Sequence, residues 1–162
     1  MLLLRRHCLP VVLLATCALA ADATDNVAAK IFTPEVAQRI FGAPATAGKV
    51  NSEADMKSGA VIISRCSYSV KGDGATATSV SLMLRRAGTT EEARTIFLAS
   101  KQTYHGEEIG NLGDAAYRTA APAQLDVLKG RDWLIISAGA FPKADPVLQE
   151  KAAREILKQI QD

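Results

Sequence analysis

Side chains able to act as acids, bases, nucleophiles or ligands fall in a few short stretches. His105 lies in Tyr104-His105-Gly106-Glu107-Glu108, an imidazole beside carboxylates, the set used for acid–base work or for ligating a metal. Asp114 follows Gly113 and is a further candidate acid, although an aspartate in a glycine turn ordinarily bonds nearby backbone amides. His105, Glu107 and Asp114 together define one functional reading, a small envelope hydrolase or other enzyme. Against it, a histidine after a helix C-terminus also complements the helix dipole. Glu107 and Glu108 point opposite ways if extended. The serines Ser64, Ser67, Ser69, Ser79 and Ser81 lie on strands with no nucleophile elbow. Gly72-Asp73-Gly74 lacks the following helix that a phosphate loop requires. The reading favoured here is therefore non-catalytic, with no cofactor and no metal.

Cysteine usage bears on the same question. Cys8 and Cys17 fall in an N-terminal targeting segment, leaving Cys66 alone in residues 21–162. Neither an intramolecular disulfide nor a cysteine-based metal site can then form. Cys66 falls on the apolar parity of its strand, so the sequence predicts a buried free thiol.

Residues 1–20 read as a signal peptide: Arg5-Arg6-His7, an apolar run from Leu9 to Leu14, and Ala18-Leu19-Ala20 before the cut. Residues 21–162 then form a single exported domain, periplasmic or secreted. Leu14-Ala15-Thr16-Cys17 offers an alternative, a lipoprotein tethered through Cys17. Arg5 and Arg6 are two of the 19 basic residues, so without them 17 face 17 acidic ones. A balanced chain without a basic patch is not expected to bind nucleic acid.

The elements that must position these residues follow from periodicity. Val61 to Arg86 reads as two strands, with Ile62, Ser64, Cys66, Tyr68 and Val70 on one face of the first and Val80, Leu82 and Leu84 on one face of the second. Both apolar sets meet on one side only if the loop holds an odd number of residues. A three-residue loop at Gly72-Asp73-Gly74 satisfies this. Thr33 and Pro34 open a helix to Phe41 that Gly42 closes. Lys49-Val50-Asn51 is a candidate edge strand. Thr89-Thr90-Glu91-Glu92 is a capping box for a helix to about Gln102. A strand near Ala115–Thr119 precedes a hairpin of Gln124–Lys129 and Asp132–Ala138 around Gly130-Arg131. A last helix, capped by Asp145, presents Leu148, Ala152, Ile156 and Ile160, with Glu150 and Arg154 as an exposed pair.

The expected fold is thus α+β: an antiparallel sheet of about five to six strands packed with three helices, in the order α-β-β-α-β-β-β-α. That order, with Thr33-Pro34-Glu35-Val36, Cys66-Ser67-Tyr68, Leu112-Gly113-Asp114-Ala115-Ala116 and Leu125-Asp126-Val127-Leu128-Lys129-Gly130, resembles small exported bacterial proteins of unknown function with a PsbP/Mog1-like domain. The resemblance implies an α+β sandwich and carries no catalytic residue.

In the second hairpin Leu125, Val127, Leu134 and Ile136 should be core. Leu128, Trp133 and Ile135 then cluster on the opposite face, interrupted by Asp126. Such a cluster needs a cover. Either a helix or residues 43–60 lie over it, or it is a binding surface with Trp133 as anchor. The function read from the sequence is a binding or accessory module, with an inhibitor or immunity-type protein as one form. Its partner would be an envelope protein, lipid or cell-wall component.

Overall fold

The computed structural model describes residues 25–71 and 76–160. The signal-peptide and Cys17 expectations, and the loop at Gly72–Gly74, lie outside them. The elements are α1 (Val27–Ile31), α2 (Pro34–Phe41), β1 (Thr46–Ala47), β2 (Met56–Ser58), β3 (Val61–Lys71), β4 (Ala77–Arg86), α3 (Thr90–Thr103), β5 (Glu107–Glu108), β6 (Ala115–Ala120), β7 (Ala123–Lys129), β8 (Asp132–Ala140), β9 (Lys143–Ala144) and α4 (Pro146–Leu157). The fold is α+β. One antiparallel sheet of nine strands runs β1-β3-β4-β8-β7-β6-β5, with β2 also on β3 and β9 also on β8.

The expectation of five to six strands and three helices therefore undercounts both. The added strands β1, β2, β5 and β9 are two or three residues long, too short to show a period. The added helix α1 has five residues and is set by one side chain. Asn26 Oδ1 accepts from Ala29 N at 2.8 Å, which caps the helix. The same oxygen accepts from Ser64 Oγ, and Nδ2 donates to the carbonyls of Val50, Glu53 and Arg65. One buried amide thus ties α1 to β3 and to the chain between β1 and β2.

That chain corrects a second expectation. Lys49–Ser52 is a 3-10 turn, not an edge strand. Asn51 Oδ1 accepts the β3 edge amide of Ser67 at 2.7 Å, and Gly48 N donates to the Ser67 carbonyl. A side chain and a single amide satisfy this part of the edge where a strand would otherwise do so.

The local caps act as expected. Thr33, Thr89 and Asp145 accept from Val36, Glu92 and Leu148 amides, and Gly42 closes α2 at φ 73. Parity in the first hairpin also holds, with Cys66 opposite Leu82 and Tyr68 opposite Val80. A three-residue loop would have placed Tyr68 opposite Thr78, so the strands are offset by two residues. Such a slip leaves every side chain on its expected face.

The sheet separates two cores. On one face Cys66, Tyr68, Val80, Leu82, Leu84, Leu125, Val127, Leu134 and Ile136 pack against α1, α2 and α4. On the other, Phe97 and Ala93 of α3 cover Tyr117, Leu128 and Trp133. Burial on this scale stabilises by about 25 cal/mol per Å² of apolar surface. Glu150 and Arg154 do not pair with each other. Arg118 Nη2 donates to Glu150 at 2.8 Å, and Arg154 donates to the Asn111 carbonyl. Both α4 side chains are taken up by groups on β6 and in the loop before it.

Candidate binding site

The residues singled out as acid–base candidates are not brought together. His105 is exposed at φ 50, and its amide bonds Gln102 O where α3 ends. Glu107 is exposed opposite Arg118 in the β5–β6 pair. Asp114 lies four residues back along the chain from Arg118, roughly 13 Å at strand rise. Its Oδ2 accepts from Gly130 N at 2.6 Å, and Lys129 Nζ stands 3.6 Å from Oδ1. The Asp114 carboxylate thus fixes the β7–β8 turn, the backbone role an aspartate in a glycine turn ordinarily takes.

Cys66 is 1 % exposed, and its thiol donates to the Phe32 carbonyl at 3.3 Å. Burial pushes this thiol up to about 12. At neutral pH it is neutral, so it has neither the charge of a nucleophile nor access to a substrate.

Leu128, Trp133 and Ile135 share a face as the register required. Leu128 and Trp133 are nonetheless buried under α3, with Phe97 and Trp133 ring centroids 6.1 Å apart. Of the covers expected over the cluster, α3 is the one present; Ile135 stays partly open, and Trp133 and Ile135 line the cleft at the margin of that cover.

The cover is incomplete, and where it ends a cleft begins. Trp133 Nε1 donates to Asp126 Oδ1 at 2.8 Å, and the carboxylate is 3 % exposed. Burial raises Asp126 from 3.8 to about 6, against the pull of the indole hydrogen bond. Burial likewise pushes Tyr117 up; its hydroxyl donates to Ser100 Oγ of α3. On the indole face lies the Arg85 guanidinium, 4.8 Å from the ring centroid. Its Nε is buried and makes no hydrogen bond. Arg85, Tyr117, Asp126 and Ile135 line a cleft of about 340 Å³ between α3 and the sheet.

Through Gln124 and Ile135 this cleft continues into a second of about 220 Å³, lined by Arg65, Ser67, Ser81, Met83 and Ser137. The floor has a regular composition. Ser67 faces Ser81, Ser81 faces Ser137, and Gln124 faces Thr119. Gln124 Nε2 donates to Ser137 Oγ at 3.3 Å and closes the row. Hydroxyl and amide side chains therefore run straight across β3, β4, β8, β7 and β6. A larger cleft of about 610 Å³ lies near Arg86 and Arg131. Arg86 there is already neutralised by a bidentate pair with Asp132, both bonds 2.7 Å. The trough beside α3 retains unspent polar capacity, and that decides between the two.

Sequence reasoning missed Arg85, Asp126 and Gln124. Asp126 was visible as the one acid in an apolar face beside the single tryptophan. Gln124 and Ser137 join the row only once β8 lies between β4 and β7.

No family model, no curated protein and no solved structure matches this chain.

Proposed function

We propose that the chain is a non-catalytic binding module whose ligand lies in the trough between α3 and the serine-bearing half of the sheet. The observation that carries this reading is Arg85. Its Nε is buried and without a hydrogen-bond partner, and the guanidinium faces a cleft. An orphaned donor of this kind costs stability, and a bound acceptor would recover it. Large concave sites with few convergent polar groups are the usual form of ligand pockets. Export to the periplasm, cleavage before Ala21 and a PsbP/Mog1-like ancestry belong to the same proposal. They suit an accessory protein of the cell envelope.

Methyl labelling of methionine tests the site. Met83 lines the trough, whereas Met56 lies exposed on β2 at the sheet edge and serves as internal reference. Titration with a set of small polar and anionic solutes should move the Met83 methyl resonance in a saturable way and leave Met56 in place. Saturable shifts at Met56 with Met83 unmoved would place binding elsewhere and refute the reading.

A further inference from the structure

The composition of the trough narrows the class of ligand, given that the trough is the binding site. The open part of the row, Ser67 to Gln124, crosses four strands, about 14 Å at the usual strand spacing; beyond it Thr119 is buried and donates to the Pro122 carbonyl. Every member carries a neutral hydrogen-bonding group. A second, shorter row, Ser69 facing Ser79 and Ser79 facing Gly139, runs beside it. On the other side lie Arg65 and Arg85. Among the described residues neither has a carboxylate within ion-pair distance. Two exposed aromatic rings flank the floor. Tyr104, 51 % exposed, borders the α3 end; Phe141, 90 % exposed, borders the end at Ser81 and Ser137.

These features exclude several occupants. A lipid chain would cover the hydroxyl row and the orphaned Arg85 Nε without bonding either, which costs stability. An added peptide strand needs an open backbone edge, and here the floor is the face of central strands. Nucleic acid needs a dense basic surface, and this chain is near charge balance. What remains is a chain of hydroxyl-rich rings with acidic groups along one side. A β-linked pyranose chain advances by a step close to the spacing between strands, so successive rings can meet successive strands. Aromatic side chains stack on the apolar faces of such rings.

We propose that the trough binds an acidic oligosaccharide of about four rings, its hydroxyls on the Ser67–Ser81–Ser137–Gln124 row and a carboxylate on Arg85 and Arg65. The placement keeps the ligand carboxylate on the arginine side of the floor, away from Asp126, which lines the same cleft. Asp126 stands two strands from Arg85 and three from Arg65, with its carboxylate engaged by the Trp133 indole.

Calorimetric titration of the full chain with a hyaluronan tetrasaccharide, which alternates N-acetylglucosamine and glucuronate, provides the test. Chitotetraose supplies the neutral comparison and tetraglutamate the acidic peptide. The acidic sugar should bind at least about tenfold more tightly than chitotetraose, the weight of one charge-assisted hydrogen bond. Arg85→Gln should lose about that factor. Ser81→Val, an exposed β-compatible change, should weaken binding with its melting temperature preserved, which separates loss of contact from loss of fold. Equal affinity for chitotetraose, tighter binding of tetraglutamate, or indifference to both substitutions would overturn the proposal. If the tetrasaccharide fails while small solutes still move Met83, the ligand class is wrong and the site stands. If Met83 responds to nothing, both readings fail.

Discussion

Replacing Asp126 by asparagine should remove a specific part of the protein's pH dependence. Asp126 is 3 % exposed, and burial raises it from 3.8 to about 6. The fold therefore holds this proton more tightly than the unfolded chain does. The stability this gives is fully present below about pH 3.8 and is lost as pH rises through about 6. At about 1.4 kcal/mol for each tenfold change in proton affinity, the whole step amounts to about 3 kcal/mol. Asp126→Asn keeps an oxygen to accept the Trp133 indole N–H and cannot ionise. The difference in unfolding free energy between wild type and variant should then shift by about 3 kcal/mol from about pH 3 to about pH 8, in favour of the wild type at the acid end. Denaturant melts read it directly, because the chain has one tryptophan and its indole is bonded to the group that titrates. Native-state emission should change with a midpoint near 6 in the wild type and stay flat in the variant. A wild-type midpoint near 3.8, or a stability difference constant across the range, would refute the burial argument.

Asn26→Ala removes two accepted and three donated hydrogen bonds around a residue 4 % exposed. It should cost about 3 kcal/mol or more, and hydrogen exchange should show α1 and Lys49–Ser52 loosening together; loss confined to α1 would contradict the tie. In a Cys8→Ser, Cys17→Ser background, Cys66 should resist a thiol reagent until denaturant is added, and immediate labelling would disprove its burial. Cys66→Ser should cost little, near or below about 1 kcal/mol, because the Phe32 carbonyl that takes the thiol can take a hydroxyl. Gly113→Ala should destabilise by at least about 1 kcal/mol, since Gly113 sits at φ +62 and an added Cβ would fall 2.5 Å from the Leu128 carbonyl. A neutral melt would show that the β6–β7 contact yields.

Features under short-range control were legible in the residues alone. The caps at Thr33, Thr89 and Asp145 bond amides three residues on, so the local chain suffices to place helix starts. The period of two assigns each strand residue to a face, which is why Cys66, Leu125 and Ile136 could be put in the core and Leu128 with Trp133 on the far side. The turn at Gly130-Arg131 sets the β7–β8 register because its two residues leave no other pairing. Tertiary structure decided everything that depends on strands far apart in the chain. β4 and β8 are neighbours although α3, β5, β6 and β7 lie between them in sequence. That pairing alone lines Ser81 up with Ser137 and builds the row. Which of two candidate covers lies over Trp133 depends on the path of α3 across the sheet, and an apolar stripe of Ala93 and Phe97 specifies a burial partner only by shape. Asn26 and Arg85 show the same limit. A polar side chain declares its hydrogen-bonding capacity in the sequence, but the surrounding fold determines whether that capacity is spent, as in Asn26, or left open, as in Arg85.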